Sequence, residues 1–456
     1  VRTDSDPTES DAEVLELAPL RGLRYATPDA RALIDTPGFD LALALAPPYD
    51  VVDAAAVADL VGAEPHNAAR LTVPPAAESA VLAGELTGPD RYAAAARTLR
   101  RWISTGVLVR DPDPVLYVYE QTAPDGTRQR GLIGALRLPA PGGTVVRPHE
   151  DVAAAPVDDR VRLMAATRAN LEPILLLYRG GAGASRGAAT RTTDAVADGA
   201  DAPLVDTVTG DGVAHRLWAV ADPAAQAAVA ADLAGRTALI ADGHHRYAAY
   251  QRLRADAAAP GPWDHGLALL VDSDAWPPHL GAIHRVVRGL DTAAAARAAE
   301  RVARVKKVSA GDGPDGGLAR LRAAAAHGPA LLLADASQAR YLVDGFDPSA
   351  LTRAAPGRPP EWRALPTAAL EHLLLPLWGA GDERVDLVHD DPAASAAAAR
   401  PGADTAVLVP ALDVADVYAV TARGGLTPRK STSFGPKPRT GLVIREFATP
   451  SRPPRP

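Results

Sequence analysis

Thr237-Ala238-Leu239-Ile240-Ala241-Asp242-Gly243-His244-His245-Arg246-Tyr247-Ala248-Ala249-Tyr250-Gln251-Arg252-Leu253 is the stretch that decides the fold. A five-residue apolar run from Thr237 to Ala241 has the length of a buried strand, and Asp242-Gly243 breaks it. Tyr247, Tyr250 and Leu253 then recur at three-residue steps, the spacing of a helix face. Strand, tight turn and helix in this order aim the first backbone N–H groups of the helix at whatever lies above the strand end. The helix dipole favours negative charge there. His245 and Arg246 place cationic donors in the first turn, where they oppose the dipole, so an anionic ligand explains them better than helix stabilisation does. Two other readings stand beside this one. Asp242 could be a plain helix cap with surface histidines. His244 or His245 could ligate a metal, although helical zinc sites pair histidines at i and i+4 rather than side by side.

Outward from this turn the elements alternate. Val115 to Glu120 and Arg130 to Leu138 predict an antiparallel hairpin through Pro124-Asp125-Gly126. Ile174 to Tyr178 and Leu267 to Val271 predict short buried strands. Helical spacing covers Arg91 to Thr105, Pro223 to Ala234, Arg246 to Ala257, Ala293 to Val305 and Ala368 to Leu377. The mixture predicts an α+β protein. The core is expected over residues 13–290 and a C-terminal α/β region over 291–447, with loose tails at 1–12 and 448–456 and a disordered insertion near 180–202.

Among 456 residues there is one methionine and no cysteine, so thiol nucleophiles, thiolate metal sites and disulfides are excluded. A formal charge of −7 opposes a broad grip on nucleic acid. No window approaches the roughly 18 apolar residues of a membrane span, and the expected setting is the cytoplasm. Lysine is rare among the 48 basic residues: Lys306, Lys307, Lys430 and Lys437 are all there are. Two of them sit in Pro428-Arg429-Lys430-Ser431-Thr432-Ser433-Phe434-Gly435-Pro436-Lys437-Pro438-Arg439-Thr440-Gly441, a cationic, hydroxyl-rich loop before a strand expected from Leu442 to Arg445. Such groups suit phosphate oxygens, and an ordinary basic surface turn is the alternative.

Two further clusters carry candidate chemistry. In Arg147-Pro148-His149-Glu150-Asp151, Glu150 is a candidate general base and His149 a candidate proton carrier. A solvated polar loop explains the same residues. In Pro47-Pro48-Tyr49-Asp50-Val51-Val52, a rigid proline turn leads to a hydrogen-bonding Tyr-Asp pair and a strand start.

These motifs, with Asp159-Arg160, Arg285-Val286-Val287 and Lys430-Ser431-Thr432 in the same order, resemble the DUF1015 family of bacterial and archaeal proteins over roughly residues 14–447. Departures are the 180–202 insertion, Ser433 in place of an aromatic residue, and Arg147 where lysine is common. The family is similar to the ParB, sulfiredoxin and free-serine-kinase superfamily, which implies a mixed core with a strand-turn-helix phosphate site. Sulfiredoxin chemistry needs a cysteine where His244 stands, and no helix-turn-helix reader follows as in ParB clamps.

The kinase branch shares Asp, Gly, His and Arg with Asp242, Gly243, His244 and Arg246. The resemblance thus implies phosphoryl transfer from ATP or ADP, with Mg²⁺ on the phosphates, to the hydroxyl of a small metabolite such as serine. Gly243, His244, His245 and Arg246, together with Lys430, Ser431, Thr432 and Lys437, would then hold phosphate. Glu150 or Asp242 would accept the hydroxyl proton, assisted by His149, and Tyr49, Asp50 and Arg160 would hold the acceptor. The rival classes are a nucleotide-binding regulator without turnover and a metal-assisted phosphohydrolase using His149, His244 and Asp242. On the phosphoryl-transfer reading, the 428–441 loop is expected to return to the Asp242 turn.

Overall fold

The structure, a computed structural model, describes residues 13–26, 39–73, 90–308, 313–337, 339–389 and 392–447. The expected tails at 1–12 and 448–456 lie outside the described residues. Contacts divide the chain into two units, and neither is continuous in sequence. Unit 1 takes residues up to 148, then 152–277 and 436 onwards, and unit 2 takes 149–151 and 278–435. The main division falls between Pro277 and Pro278, ahead of the boundary expected near Leu290.

Unit 1 is built on one mixed sheet of nine strands: β1 (Leu17–Ala18), β2 (Leu116–Thr122), β3 (Arg128–Arg137), β4 (Val146–Arg147), β5 (Ile174–Tyr178), β6 (Val205–Val208), β7 (Ala214–Val220), β8 (Ala238–Asp242) and β9 (His265–Asp272). Their spatial order is β4-β8-β5-β9-β3-β2-β7-β6, with β1 paired to β3. β8 runs parallel to β4 and antiparallel to β5, while β9 runs parallel to β5 and antiparallel to β3. The strand Ile174-Leu-Leu-Leu-Tyr178 is buried at every position, as a central strand covered on both faces must be. β2 and β3 form the expected hairpin, with Glu120 opposite Arg130.

Five helices matter to unit 1: α1 (Asp90–Ser104), α2 (Ala154–Thr167), α3 (Ala188–Ala197), α4 (Pro223–Leu233) and α5 (His244–Ala255). α4 starts on a favourable signal, Pro223 at its first position with the Asp222 carboxylate accepting from Ala224 and Ala225 N–H. Helix α3 lies in the stretch expected to be a disordered insertion. Its Ala189, Thr190 and Thr193 are buried, and Thr190 donates to the Asp272 carboxylate at 2.6 Å. Small polar residues here hide an inward face behind a loop-like composition.

Unit 2 carries β10 (His279–Gly281), β11 (Ile283–Arg288), β12 (Arg304–Lys307), β13 (Leu331–Ala334), β14 (Arg340–Asp344), β15 (Val385–His389), β16 (Asp404–Leu408) and β17 (Ser433–Gly435). Six of them form a sheet in the order β12-β14-β13-β16-β11-β15, antiparallel at every pairing, and β10 pairs separately with β17. Leu331 and Leu333 enter one core cluster while Leu332 and Ala334 enter another, so the sheet is covered on both faces. This antiparallel architecture replaces the α/β arrangement expected for the C-terminal region, and the protein is α+β in both units.

Other local expectations shift. The helix expected from Ala293 to Val305 ends at Ala299, and Arg304–Lys307 becomes an edge strand paired with β14. Residues 368–377 wind as a helix interrupted by a π segment at Leu370–Leu374. Tyr49–Val51 is a 3₁₀ turn rather than a strand start. Of the strand expected over 442–445, only Arg445–Glu446 pairs in a two-residue strand, with Ala169–Asn170, while Ile444 bridges Leu23. No helix of the described residues is long and apolar enough to cross a membrane.

Gly131 marks a close approach at the centre of the first sheet. A Cβ there would meet the Leu270 carbonyl oxygen at 2.6 Å and Val271 Cγ2 at 2.7 Å. Gly131→Ala is expected to destabilise unit 1 by about 1–3 kcal/mol through overpacking. A urea unfolding midpoint equal to that of the parent protein would contradict this.

Candidate functional site

Gly243 caps α5 from the left-handed region, at φ 93° and ψ 30°. A side chain there would be strained, and its Cβ would meet Ile174 Cγ2 at 2.8 Å. The glycine therefore lets β8 turn at once into α5. This turn sets Asp242 and Arg246 one helical turn apart, and Arg246 Nη2 donates to Asp242 Oδ2 at 2.5 Å. Arg246 Nη1 donates to the Pro173 carbonyl at 2.7 Å, and the side chain is only 2% exposed. Burial works to lower the Arg246 pKa, but Glu172, Asp242 and Asp50 together raise it, so the guanidinium stays charged.

The other oxygen of Asp242 receives a cation from the C-terminal segment. Lys437 Nζ lies 2.8 Å from Asp242 Oδ1 and 2.7 Å from Asp50 Oδ2. Burial alone would lower the Lys437 ammonium, and the two carboxylates override it to raise it. Burial would likewise raise the Asp50 carboxyl, and Lys437 and Arg246 instead hold it below the usual carboxylate range. The backbone brings the partners together: Thr440 and Ala46 exchange both N–H···O bonds, at 2.9 and 3.1 Å. Buried Glu172 ties the same segments, accepting from Tyr49 N–H at 3.1 Å and from the Thr440 hydroxyl at 2.8 Å.

Arg160 stacks over the Tyr49 ring at 4.0 Å, donates to the Thr72 carbonyl at 2.8 Å and pairs with Asp159. Burial pushes the Tyr49 hydroxyl up to about 12, so it is a neutral donor at neutral pH. His245 Nε2 accepts from Ala153 N–H at 3.3 Å, just ahead of α2, and His244 is buried. Tyr49, Asp50, Arg160, Asp242, Gly243, His244, His245, Arg246 and Lys437 thus all belong to unit 1; of the 428–441 segment, residues 436–441 belong there and Lys437 meets the Asp242 turn, while residues 428–435 belong to unit 2.

Residues beneath this segment were invisible to motif reasoning. On β7, buried His215 shares a hydrogen bond through Nδ1 with the Tyr119 hydroxyl at 2.9 Å and through Nε2 with Thr209 Oγ1 at 3.0 Å. Thr209 donates to Asp211 Oδ1 at 2.6 Å, and Arg439 pairs with Asp211. With the threonine proton directed to Asp211, the ring must donate from Nε2 and accept at Nδ1. Burial, reinforced by Arg439, lowers the His215 pKa to about 4.

The remaining candidates form their own cluster in unit 2. His149 is buried, its Nε2 lies 2.8 Å from Thr432 Oγ1, and its ring meets Phe434 edge-on at 5.2 Å. Thr427 closes on the His149 carbonyl with both its N–H, at 2.7 Å, and its hydroxyl, at 2.8 Å. Glu150 accepts from Lys430 N–H at 3.2 Å, with Lys430 exposed and left-handed at φ 54°. Ser431 Oγ donates to the Pro428 carbonyl at 2.6 Å and lies 2.7 Å from Thr367 Oγ1. Arg285, 1% exposed, donates to the Lys430 carbonyl at 3.1 Å and to Glu371 Oε1 at 3.0 Å. Glu371 stands in the π segment, a distortion that often re-aims a side chain at functional sites. Among the described residues no group of three or more His, Asp or Glu side chains converges to hold a metal ion.

A family model described as "Protein of unknown function (DUF1015)" matches residues 17–367. No curated protein matches the chain. Among solved structures, C-terminally truncated SbnI from Staphylococcus aureus is similar at 10% identity and a TM-score of 0.35, over 69% of this chain and 87% of that one. A free serine kinase variant in complex with ADP is similar at 14% identity and 0.32, over 66% and 89%. A conserved hypothetical protein from Pyrococcus furiosus is similar at 13% identity and 0.32, over 66% and 92%. Likenesses at such low TM-scores establish neither fold nor function.

Arg246→Ala would strand the Asp242 carboxylate, 9% exposed, with one cation instead of two. A loss of about 3–5 kcal/mol is expected in denaturant unfolding, the range for breaking a buried pair. A change under 1 kcal/mol would contradict it. His215 supplies a pH test. Its folded value of about 4 lies below the ordinary 6.5, so its share of stability is complete above pH 6.5 and is lost as pH falls towards 4. The share is about 3 kcal/mol at 1.36 kcal/mol per unit. Unfolding free energies measured across that window should fall more steeply for the parent than for His215→Gln, and equal slopes would rule the histidine out.

Proposed function

The chain belongs to the DUF1015 family, and we propose that the Asp50–Lys437–Asp242 cluster of unit 1 is the phosphoryl-handling centre of a small-molecule phosphotransferase. The enzyme moves a phosphoryl group between a nucleotide and the hydroxyl of a small metabolite, with serine the first acceptor to test. The observation that carries the reading is the placement of Lys437 Nζ, 2.7 Å from the Asp50 carboxylate in the 49–51 turn and 2.8 Å from the Asp242 carboxylate just ahead of α5. A lysine so held is charged, partly desolvated and still 21% exposed at its side chain, which suits a ligand for transferring phosphate oxygens.

In the forward direction the acceptor hydroxyl oxygen forms a bond to the terminal phosphorus while the bridging P–O bond breaks. The hydroxyl proton passes to Asp50, and the electron pair of the broken bond leaves on the nucleotide. Asp50 is ionised at neutral pH and therefore free to accept that proton. Phosphoryl transfer asks little of a base and much of positioning, so a weak base is adequate. Arg246, enclosed by Asp242 and Pro173, acts as a positioning residue rather than a phosphate ligand.

The described residues offer no three-ligand cage for Mg²⁺. Mg²⁺ bound to the nucleotide would neutralise phosphate charge, and every protein role above belongs to side chains of this chain.

Binding without turnover is the competing reading, favoured by both Asp242 oxygens already facing cations. Labelled ATP, ADP or pyrophosphate incubated with serine separates the two. Phosphoserine supports the transferase, and tight nucleotide binding with no labelled product supports the regulator. Lys437→Gln is expected to weaken nucleotide binding by roughly tenfold or more, the scale of one charge-assisted contact, while circular dichroism stays unchanged. Unaltered affinity in the folded variant would sink the site.

A further inference from the structure

The first sheet carries a polar row where an apolar one would be cheaper. Gln129 on β3, Gln121 on β2 and His215 on β7 stand opposite one another in register, so their side chains share one face. Gln129 and Gln121 are each 2% exposed, and His215 is 0% exposed. Tyr119, two residues from Gln121 and on the same face, donates to His215 Nδ1 at 2.9 Å, with Gln121 Oε1 3.3 Å from the same hydroxyl. Gln121 directs its amide donors to Gln129 Oε1 at 3.0 Å and to the carbonyl oxygen of Pro436 at 3.1 Å. On the far side of Lys437, Arg439 donates through its side chain to Thr209 Oγ1 at 3.3 Å and Asp211, and its N–H faces the Tyr119 hydroxyl at 3.5 Å.

This row is expensive to keep. Gln129 Nε2 is buried with no hydrogen-bond partner, an arrangement that costs about 1–3 kcal/mol. The cost follows from holding Gln129 Oε1 towards Gln121, which in turn holds the Pro436 carbonyl. Pro436 and Pro438 limit the freedom of the residue between them. Lys437 is thereby held through its backbone on both sides by contacts separate from those its ammonium makes with the carboxylates.

We propose that Gln121, backed by Gln129, and Arg439 are positioning residues that fix Lys437 for its phosphate-binding role. The assignment rests on the reading of Lys437 given above, and it adds the device that aims the ammonium. Two anchors on opposite sides make it testable by either one.

The chain holds four lysines, so protein labelled with ¹³Cε-lysine gives four side-chain signals, and Lys437 is the one absent from Lys437→Gln. Its ammonium is raised above the ordinary lysine value by Asp242 and Asp50 once burial is overcome. In Gln121→Leu and in Arg439→Met the Lys437 signal is expected to titrate about one unit lower, the scale of a lost close charge contact. The other three lysine signals should stay unchanged, and nucleotide affinity should fall about tenfold, one such unit of free energy. If one variant fails to fold, the other is read. A Lys437 signal that titrates as in the parent, in either folded variant, overturns the proposal and leaves the row a purely structural feature. If the parent binds no nucleotide while the signal still moves in the variants, the positioning role stands and the proposed function fails.

Discussion

A buried carboxylate needs hydrogen-bond donors or cations at its oxygens, and at Asp242 two cations supply them from very different distances along the chain. Arg246 follows one helical turn later and arrives with the formation of α5. Lys437 comes from the C-terminal segment, and its arrival depends on the exchange of backbone bonds between Ala46 and Thr440. Asp50, Tyr49 and Glu172 are drawn into place by that same exchange. The left-handed Gly243 makes the arrangement possible, since any Cβ there would press on Ile174 and on Arg246 itself.

The Asp242 turn was legible in sequence because a single strand, a break and a helix are local events whose periods change within a few residues. The β2–β3 hairpin and the buried strand Ile174–Tyr178 were readable for the same reason. Helix α3 was not, because its alanines and threonines mimic a loop and its burial depends on Asp272, far away in sequence. The end of the helix at Ala299 was missed because Val302 and Val305 continue a helical spacing, while pairing with β14 claims Arg304–Lys307 for the sheet. At the site, residue types announced themselves but their partners did not. The cationic turn suggested that Arg246 faces an anion. The anions it meets are the chain's own Asp242 and, through electrostatics, Glu172. Glu172 lies in an unremarkable Leu-Glu-Pro run, and only three-dimensional closure reveals what it holds.

The second unit treats its own loop in a comparable way. Arg285 reaches the carbonyls of Arg429 and Lys430 from beneath, and Glu371 balances it from a distorted turn of helix. Burial lowers the Arg285 pKa against the pull of Glu371. Its partners are mostly backbone carbonyls, so it acts on loop shape, leaving His149 and Thr432 to meet side chain to side chain.

Neither unit is complete in one pass of the chain, because residues 149–151 belong with the second and residues from 436 onwards return to the first. During synthesis the ribosome releases nearly all of the first sheet well before Lys437 emerges. Until it does, Asp242 has only Arg246 to offset it, and Asp50 lacks the Ala46–Thr440 exchange that draws it into place. Vectorial folding therefore leaves the first unit electrostatically unfinished until residues 436–440 clear the exit tunnel, so that the charged centre closes after the sheet that carries it.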